Sequence, residues 1–399
     1  MTTELNRKES GLLPIIGMAW TYTWLYKLGG YFWNRSGQLQ DYVNFLLCEA
    51  DPLWDQQRMA AQIVKKEHPT ANSTTLWLKP PAKWQGFKPG QYVQLECEID
   101  GSRVQRCYSL SNSPESFEQT GLISITVKAI TDGKVSNYVK DHLSESDLVY
   151  LSHAQGIFSY QLSDSTSNKE RSQDIQEEPS HYLFLAGGSG ITPIKSMIEQ
   201  LIVDRTFNQP KITLVYTAQN ESDAIYLERL RQLAEYQADF DLHFHASDDH
   251  GYLTAKQLRQ WINEPSTTDA FICGPSAFMD SMQTGLRKQG IAEDHIKLER
   301  FGAAKPAIKS TKGKITTYFE PTEQTLVNKG EQSLLEMAEE AGLNPKYGCR
   351  AGICHECKCK RPAGELLDAQ TGEAIPHDQS HIQPCVTYAT SDLVVSQWN

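Results

Sequence analysis

The sequence lacks several features that would each indicate a class of protein. Its 399 residues carry 38 Lys and Arg against 49 Asp and Glu, for a net charge of −11 at pH 7. Because binding to a phosphate backbone needs clustered Lys and Arg, this shortage of positive charge excludes nucleic acid as a partner. An acidic surface instead suits docking onto a basic partner protein, although it also keeps many proteins in solution.

The N-terminal region lacks a long unbroken apolar run. The apolar stretch over residues 12–33 is interrupted by Pro14, Lys27 and several glycines, whereas a membrane-spanning helix needs about 20 mostly apolar residues. The start of the chain also lacks the charged leader and cleavage site of a secreted protein, so we expect a cytoplasmic location. Residues 1–60 are nevertheless rich in Trp and Tyr. Two interpretations stay open: peripheral contact with the inner face of the membrane, or packing over the next domain.

The cysteines do not suit disulfide pairing. There are nine of them, an odd number, and five follow residue 348, whereas secreted disulfide frameworks pair evenly in much smaller chains. Cys349, Cys354 and Cys357 make a C-x4-C-x2-C loop, and Cys385 supplies a fourth thiol further along the chain. This clustering indicates metal ligation in a reducing compartment.

The spacing of these four cysteines is that of a plant-type [2Fe–2S] ferredoxin, a family that residues 314–399 resemble. Gly348 and Gly352 permit the tight turns that a loop around a flat cluster needs. A structural zinc site is the alternative, but such sites usually bring their ligands in paired short hooks, and a second hook near Cys385 is missing. Cys359 is a fifth thiol close to the ligands, and we expect it to be a packed thiol rather than an exchanging ligand.

The hydrophobic pattern divides most of the chain into folded units. Short apolar runs separated by turn residues predict a small antiparallel barrel, with strands over residues 75–78, 91–98, 122–130 and 148–151. Further along, strands alternate with helices, one of them predicted over Thr254–Ile262, which predicts a doubly wound parallel sheet. The predicted segments are an aromatic-rich extension (1–61), the flavin-binding barrel (62–162), a polar linker (163–180), the nucleotide-binding domain (181–302), a second linker (303–313) and the ferredoxin domain (314–399). The expected fold class is α/β plus β, and the resemblance to ferredoxins implies a β-grasp-like last domain.

A short motif in the predicted barrel points to a flavin. Arg106, Cys107, Tyr108 and Ser109 form R-x-Y-S, and with the motifs that follow, this resembles the ferredoxin–NADP reductase superfamily. The resemblance implies that Arg106 holds a flavin phosphate, that Tyr108 packs on the flavin, and that Ser109 lies near its redox-active nitrogen. Because neighbouring side chains of a strand point to opposite faces, we expect Cys107 to be a core thiol.

A second motif follows in the barrel region. Gly133, Val135 and Ser136 belong to a G-x-x-S sequence. The same resemblance implies that this sequence begins a helix whose N–H groups receive the flavin phosphate or pyrophosphate. The flavin that the resemblance implies is FAD rather than FMN.

A glycine-rich loop follows the first strand of the α/β region. Gly187, Gly188 and Gly190 let the backbone approach a pyrophosphate, and the helix begins around Thr192 and Pro193. The loop lacks the G-x-G-x-x-G fingerprint of a generic dinucleotide fold. It resembles instead the G-x-G-I/V-T-P loop of the same reductase superfamily.

A later strand ends in Cys273, Gly274 and Pro275, at the edge where open α/β sheets bind ligands. The resemblance places Cys273 beside the nicotinamide at the flavin. The donor is NADH or NADPH. A 2′-phosphate wants a nearby cation, whereas the corresponding stretch carries Asp248 and Asp249, so the sequence favours NADH.

Together these motifs predict an oxidoreductase for electron transfer. Nicotinamide gives two electrons as hydride and a [2Fe–2S] cluster accepts one at a time, so a flavin is needed between them. We expect hydride transfer to FAD near Ser109 and Cys273, followed by single-electron steps to the cluster. The predicted acceptor is a redox-partner protein.

The identity of the acceptor rests on a weaker resemblance. Residues 51–54, with the aromatic segment before them, resemble bacterial reductases that serve membrane fatty-acid desaturases, so a membrane desaturase or hydroxylase is the preferred acceptor. A soluble Rieske-type oxygenase or another redox protein is the alternative. A redox-sensing flavin and iron–sulfur protein without turnover is the alternative from a different class.

Overall fold

The computed structural model describes residues 59–99, 101–131, 133–160, 179–204, 210–301, 314–328, 332–343, 345, 347, 352, 357–369 and 372–396. The predictions for the N-terminal extension up to residue 58, for most of the polar linker and for the linker over 303–313 lie outside these residues. The predicted cluster ligands Cys349 and Cys354 also lie outside them. In the described part of the chain, no helix combines the length and apolarity needed to cross a membrane.

The first domain is the predicted antiparallel barrel. Its strands are β1 (Met59–Thr70), β2 (Ser73–Lys79), β3 (Tyr92–Ile99), β4 (Ser102–Ser109), β5 (Ile123–Lys128) and β6 (Leu148–Leu151). They pair in the order β4-β3-β6-β1-β2-β5, and a bridge between Leu110 and Ile125 joins the two ends of the sheet. Two helices accompany the barrel, α1 (Pro114–Thr120) and α2 (Lys134–Asp141).

All four strands predicted in the barrel are present, and β6 has the predicted bounds. Strand β1 escapes the sequence pattern because its second half, from Val64 to Pro69, is largely exposed and charged. It begins at Met59, so the barrel starts a little before residue 62. The bends of this long strand show as register shifts against β2.

The second domain is a doubly wound α/β sheet. Its strands are β7 (His181–Gly187), β8 (Lys211–Ala218), β9 (Phe240–Ala246), β10 (Thr268–Cys273) and β11 (Ile296–Glu299), and its helices are α3 (Ile191–Val203), α4 (Leu227–Tyr236), α5 (Ser247–His250) and α6 (Ser276–Lys288). The strands are parallel in the order β11-β10-β7-β8-β9. Every residue of β7 is buried, because α3 and α4 cover one face of the sheet and α6 covers the other. The strand order reverses between β7 and β10, which makes their carboxyl ends the switch point.

The helix predicted over Thr254–Ile262 is present as a 3-10 helix. It spans Ala255–Trp261, with Thr254 and Ile262 as its caps. Its core contacts come from Leu258 and Trp261, and this three-residue spacing matches the three residues per turn of a 3-10 helix.

The third domain is small and mixed. Its strands are β12 (Ile315–Phe319), β13 (Gln324–Asn328), β14 (Cys359–Lys360), β15 (Leu366–Asp368), β16 (His381–Ile382), β17 (Thr387–Ala389) and β18 (Leu393–Val395), with helix α7 (Leu334–Glu340). Strand β12 pairs antiparallel with β13 and parallel with β18. Helix α7 begins with a capping box, in which Ser333 and Glu336 each bond the other's backbone N–H.

Candidate functional site

The loops at the switch point approach each other as closely as glycine allows. A Cβ atom on Gly187 would lie 2.8 Å from Pro275 Cδ, one on Gly274 would lie 2.9 Å from Gly187 Cα, and one on Gly190 would overlap the Cys273 carbonyl. Gly188 has a left-handed φ of +54°, and a Cβ there would meet no other atom within 4 Å. The loop therefore leaves open space on one side, which fits the approach of a nucleotide pyrophosphate.

Thr192 and Pro193 lie in the first turn of α3 and are buried. The Thr192 hydroxyl donates to the Ser189 carbonyl at 3.0 Å, which fixes the turn between strand and helix. Helix α3 has no side-chain cap at its N-terminus, but the Ile191 N–H already donates to the Gly188 and Ser189 carbonyls and Pro193 has no N–H. The glycine loop, rather than the first N–H groups of the helix, is therefore the part of this segment that fits a pyrophosphate.

Ser109 and Cys273, predicted to lie at the flavin and the nicotinamide, are brought together by a third residue. Cys273 ends β10 and is fully buried, and its register partner on β11 is Glu299. Ser109 ends β4, and its hydroxyl lies close enough to the Glu299 carboxyl to lower the pKa of that group. Ser109 Oγ and Glu299 Oε2 are both buried with no hydrogen-bond partner in the described structure. Buried polar atoms are rarely left this way, so the pair fits a site that a bound group completes.

The sequence prediction missed Glu299. Burial raises the pKa of its carboxyl to about 8, an effect that the Ser109 hydroxyl partly offsets. Burial, with the neighbouring Glu299, also raises the pKa of the Cys273 thiol well above its usual value. Both groups therefore hold their protons at neutral pH. The sequence did contain a signal for Glu299: it is a charged residue at the end of a buried strand, at the edge where such sheets bind ligands.

The flavin strand β4 carries its motif residues at the barrel edge. Arg106 is partly buried and donates from Nη1 to the Gln105 carbonyl at 2.7 Å. Tyr108 packs on the barrel core, and burial raises the pKa of its hydroxyl. Cys107 is partly exposed, so the expectation of a core thiol is wrong. It lies opposite Gln94 at the outer side of the β3–β4 pair.

The G-x-x-S sequence begins helix α2, as predicted. Gly133 is the N-cap, and no side chain caps the helix. A Cβ on Gly133 would lie 2.7 Å from Ile130 and would overlap Ser136. Val135 is buried in the barrel core, whereas the Ser136 hydroxyl donates to the Gly133 carbonyl at 3.3 Å. The helix N–H groups, more than the serine hydroxyl, are thus the donors that fit a flavin phosphate.

Two of the four predicted cluster ligands are described, and they lie together. Cys357 and Cys385 are buried, and their Sγ atoms are 3.3 Å apart. This distance is far beyond the roughly 2.05 Å of a disulfide, and two thiolates on one metal at about 2.3 Å also lie within 4 Å of each other. The pair therefore fits ligation of one iron of a [2Fe–2S] cluster. No larger group of metal-binding side chains converges in the described residues.

Cys359 lies in a different environment from these ligands. It is buried among apolar side chains of the third domain, including Ile382 and Leu366. Burial raises the pKa of its thiol to about 12, with a further contribution from Cys357. A thiol that stays protonated is a poor metal ligand, because the thiolate is the binding form. These features support the packed thiol expected from the sequence.

The edge of the parallel sheet next to β8 and β9 carries Asp248. Its N–H donates to the Gln219 carbonyl at 3.0 Å, and its carboxylate accepts from Asn220 at 3.2 Å. Asp249 is exposed beside it. No Arg or Lys is present among residues 217–220 and 246–250 at this edge.

Comparison with known proteins gives the three domains in the same order. An oxidoreductase FAD-binding domain matches residues 60–160, an oxidoreductase NAD-binding domain matches 184–284, and a 2Fe-2S iron-sulfur cluster binding domain matches 318–390. Among curated proteins, the chain is 28% identical to an NADPH oxidoreductase of Mycobacterium tuberculosis, over 87% of this chain and 86% of that protein. It is also 28% identical to a glycine betaine monooxygenase reductase subunit of Pseudomonas aeruginosa, over 77% of this chain and 87% of that protein.

Among solved structures, the fold is similar to that of phthalate dioxygenase reductase. The TM-score is 0.58 at 22% identity, and the match covers 85% of this chain and 98% of that one. The barrel, the parallel sheet and the third domain thus have the predicted fold class. The chain therefore combines the FAD-binding and NAD-binding domains of an oxidoreductase with a C-terminal 2Fe-2S iron-sulfur cluster binding domain, and it is an oxidoreductase with FAD, a [2Fe–2S] cluster and NAD(P)H as its cofactors.

Proposed function

We propose that this chain is the reductase component of an oxygenase system, taking hydride from a nicotinamide and delivering electrons one at a time through its cluster. The observation that carries the proposal is the position of strand β4. At its end, Ser109 lies beside Glu299 of the nucleotide domain, whose register partner is Cys273. Earlier on the same strand, Arg106 lies over the ring of Tyr347 in the ferredoxin domain. The flavin strand thus contacts both the domain that donates and the domain that accepts.

The residues assigned to each group follow from this arrangement. FAD would be held by Arg106, by Tyr108 and by the start of α2, with Ser109 at its reactive edge. The nicotinamide nucleotide would lie on the loop over 187–193 and on 273–275. Cys349, Cys354, Cys357 and Cys385 would hold the cluster. When bound, the flavin supplies the conversion between a two-electron donor and a one-electron acceptor.

The acceptor class is inferred from the relatives. The Pseudomonas relative is named as the reductase subunit of a monooxygenase, and the match covers 77% of this chain and 87% of that protein. This supports an oxygenase as the partner. A membrane desaturase rests on the sequence resemblance alone, and the comparisons above do not support it. Membrane contact through residues 1–60 and a cytoplasmic location likewise stay predictions from the sequence.

We infer NADH as the preferred donor. The first support is the pair of carboxylates at Asp248 and Asp249, which would repel the 2′-phosphate of NADPH. The second is that residues 217–220 and 246–250, which form this edge of the sheet, contain no Arg or Lys. The Mycobacterium relative is named an NADPH oxidoreductase, so direct comparison of the two nucleotides is the first experiment.

That experiment is an anaerobic titration of the full-length protein with NADH and, separately, with NADPH, followed by visible and electron paramagnetic resonance spectra. We expect the flavin and iron–sulfur bands to bleach together and a rhombic signal to appear, at lower concentrations of NADH than of NADPH. Flavin bleaching without a cluster signal would contradict the proposed chain. Rapid turnover with cytochrome c as acceptor would exclude a sensor without turnover.

If the flavin accepts hydride and the cluster passes on single electrons, a substitution of a cluster ligand should affect two activities differently. We expect Cys354→Ser to lose nearly all cytochrome c reduction while retaining ferricyanide reduction, because ferricyanide accepts electrons directly from flavins. The matched control is Cys359→Ser, which changes a buried thiol of the same domain outside the ligand set. Equal loss of both activities in Cys354→Ser, or loss in the control, would contradict the assignment.

A further inference from the structure

Tyr347 contacts the flavin strand and also packs against the buried side chains that surround two of the predicted cluster ligands. The Cζ atom of Arg106 lies 5.7 Å from the centroid of the Tyr347 ring, within the range of a cation–π interaction. The same side chain packs against a buried cluster of the ferredoxin domain that contains Cys357 and Cys385. One ring thus lies between the arginine assigned to the flavin phosphate and the group of buried side chains that contains Cys357 and Cys385.

Tyr347 also lies close to the predicted ligand loop in the sequence. It lies two residues before Cys349, the first predicted ligand, and only Gly348 separates the two. A substitution at Tyr347 is therefore made next to the loop, so the test below uses protein that has its cluster in place.

Arg106 can serve a phosphate and this ring at once. A guanidinium is planar, so its edge donates hydrogen bonds while its face stacks on an aromatic ring. One of its five N–H donors bonds the Gln105 carbonyl, which leaves others for a phosphate. A lysine could not divide its contacts in this way, because its ammonium is a compact point charge.

We propose that Tyr347 is a positioning residue that couples FAD binding on the barrel to the docking of the ferredoxin domain, through its contact with Arg106. This deepens the proposed function, on which it rests. A phosphate that orders Arg106 favours the ring contact, and the docked ring in turn orders Arg106 for the phosphate. Because such coupling is reciprocal, loss of the ring weakens FAD binding although Tyr347 belongs to another domain.

The test is a double-mutant cycle on the dissociation constant of FAD. It uses the full-length protein with its cluster in place and its flavin removed, and FAD fluorescence as the readout. We expect Tyr347→Leu to raise the dissociation constant about threefold to tenfold, and Tyr347→Phe, which keeps the ring, to restore it to within about twofold of the original. The matched control is Tyr318→Leu, on the same domain at a partly exposed position of β12, with no expected change.

The second arm of the cycle identifies Arg106 as the partner. In an Arg106→Gln background, which keeps a planar amide but removes the charge, Tyr347→Leu should change the dissociation constant by less than about twofold. An equal loss in both backgrounds, or no loss in either, overturns the proposal. If the unsubstituted protein binds no FAD, the proposed function itself fails, which is a distinguishable result.

A reciprocal measurement covers the case in which Tyr347→Leu does not retain its cluster. Arg106→Gln should then be compared with the unsubstituted FAD-loaded protein by hydrogen–deuterium exchange. We expect faster exchange in the segment from α7 to residue 369, far from residue 106 in sequence, because its docking contact is lost. Equal exchange in the two proteins overturns the proposal.

Discussion

Glu299 is the single residue with the clearest pH signature. Burial raises the pKa of its carboxyl from 4.5 to about 8, so between these values the folded protein holds a proton that the unfolded chain has released. The stability that this group contributes is therefore present below pH 4.5 and is lost as the pH rises through about 8. We expect Glu299→Gln, which cannot ionise, to remove that decline.

The measurement is thermal unfolding of the full-length protein from about pH 5 to about pH 9. The control is Glu293→Gln, an exposed glutamate whose pKa is lowered by Arg287 and which stays ionised across this range. Parallel melting profiles for Glu299→Gln and the unsubstituted protein would show that the carboxyl is not buried as described.

Asp248 is the residue on which nucleotide choice depends in the proposed function. Its carboxylate is held by Asn220 at the edge next to β8 and β9. Replacing it with Asn keeps a polar side chain of the same shape and removes a charge that repels the 2′-phosphate. We expect Asp248→Asn to raise kcat/KM for NADPH about tenfold and to change that for NADH little, a factor that matches about 1.4 kcal/mol.

The control for this substitution is Asp241→Asn, near the start of strand β9 and far from the end that leads into α5 and Asp248, where the carboxylate pairs with Lys211. It should leave both nucleotides unaffected. A tenfold gain in both variants would indicate a general effect of charge rather than a local one, and no gain in Asp248→Asn would remove it from the specificity site.

At the scale of elements, one imidazole joins the three central strands of the parallel sheet. His181 begins β7, and its ring nitrogens contact the hydroxyls of Thr213 on β8 at 2.9 Å and Thr268 on β10 at 3.3 Å. Burial lowers the pKa of His181 from 6.5 to about 4. The unfolded chain binds the proton first, so the stability contributed by this group is present above pH 6.5 and is lost as the pH falls towards about 4.

We expect this loss to reach roughly 3 kcal/mol, from about 1.4 kcal/mol for each pKa unit. His181→Asn keeps hydrogen-bonding groups without a titration in this range, so its unfolding free energy should fall less between neutral and acidic pH. His153→Asn, at an exposed position of the barrel, is the control. Urea unfolding at both pH values checks this, and an unchanged pH dependence in His181→Asn would contradict it.

The sequence predicts best those elements whose conformation is determined by neighbouring residues in the chain. Strand β6 has the predicted bounds, because a short apolar run between polar turn residues specifies both of its ends. The capping box of α7 is likewise a local signal. The second half of β1 is exposed and charged, so its strand conformation comes from pairing with β2, which no local pattern shows.

The site residues also differ in whether the local sequence identifies them. Glycines and cysteines mark loops by their spacing, so the sequence can point to Gly190 or Cys357 directly. Glu299 becomes a site residue only because the barrel docks against the carboxyl end of β11 and buries its side chain beside Ser109. The contact of Arg106 with Tyr347 depends in the same way on the docking of two domains. Such contacts arise from tertiary packing and have no local signature.

At the scale of the whole molecule, a buried lysine links the nucleotide domain to the barrel by a hydrogen bond. Lys195 Nζ, on α3, donates to the Ser111 carbonyl at 2.9 Å and to the Glu199 carboxylate at 2.7 Å. Ser111 lies just beyond the flavin strand. The neighbouring Ser196 hydroxyl donates to the Asn112 carbonyl at 2.7 Å. The helix that begins at the nucleotide loop is thus bonded directly to the segment that follows the flavin strand.

Breaking this contact should loosen the junction on which the proposed electron path depends. Lys195→Met leaves the largely buried Glu199 carboxylate with one charged partner, the half-exposed Arg229. We expect a loss of about 3 kcal/mol in the free energy of unfolding, because the exposed guanidinium compensates the buried charge only in part. Lys211→Met, which breaks a half-exposed pair with Asp241, should cost less than about 1 kcal/mol.

The double variant Lys195→Met with Glu199→Leu should recover part of the loss, since no buried charge then lacks a partner. Since a protein of several domains need not unfold in one step, the midpoint of the first urea transition is the quantity to compare. Equal midpoints for the Lys195 and Lys211 variants would show that this ion pair does not hold the two domains together.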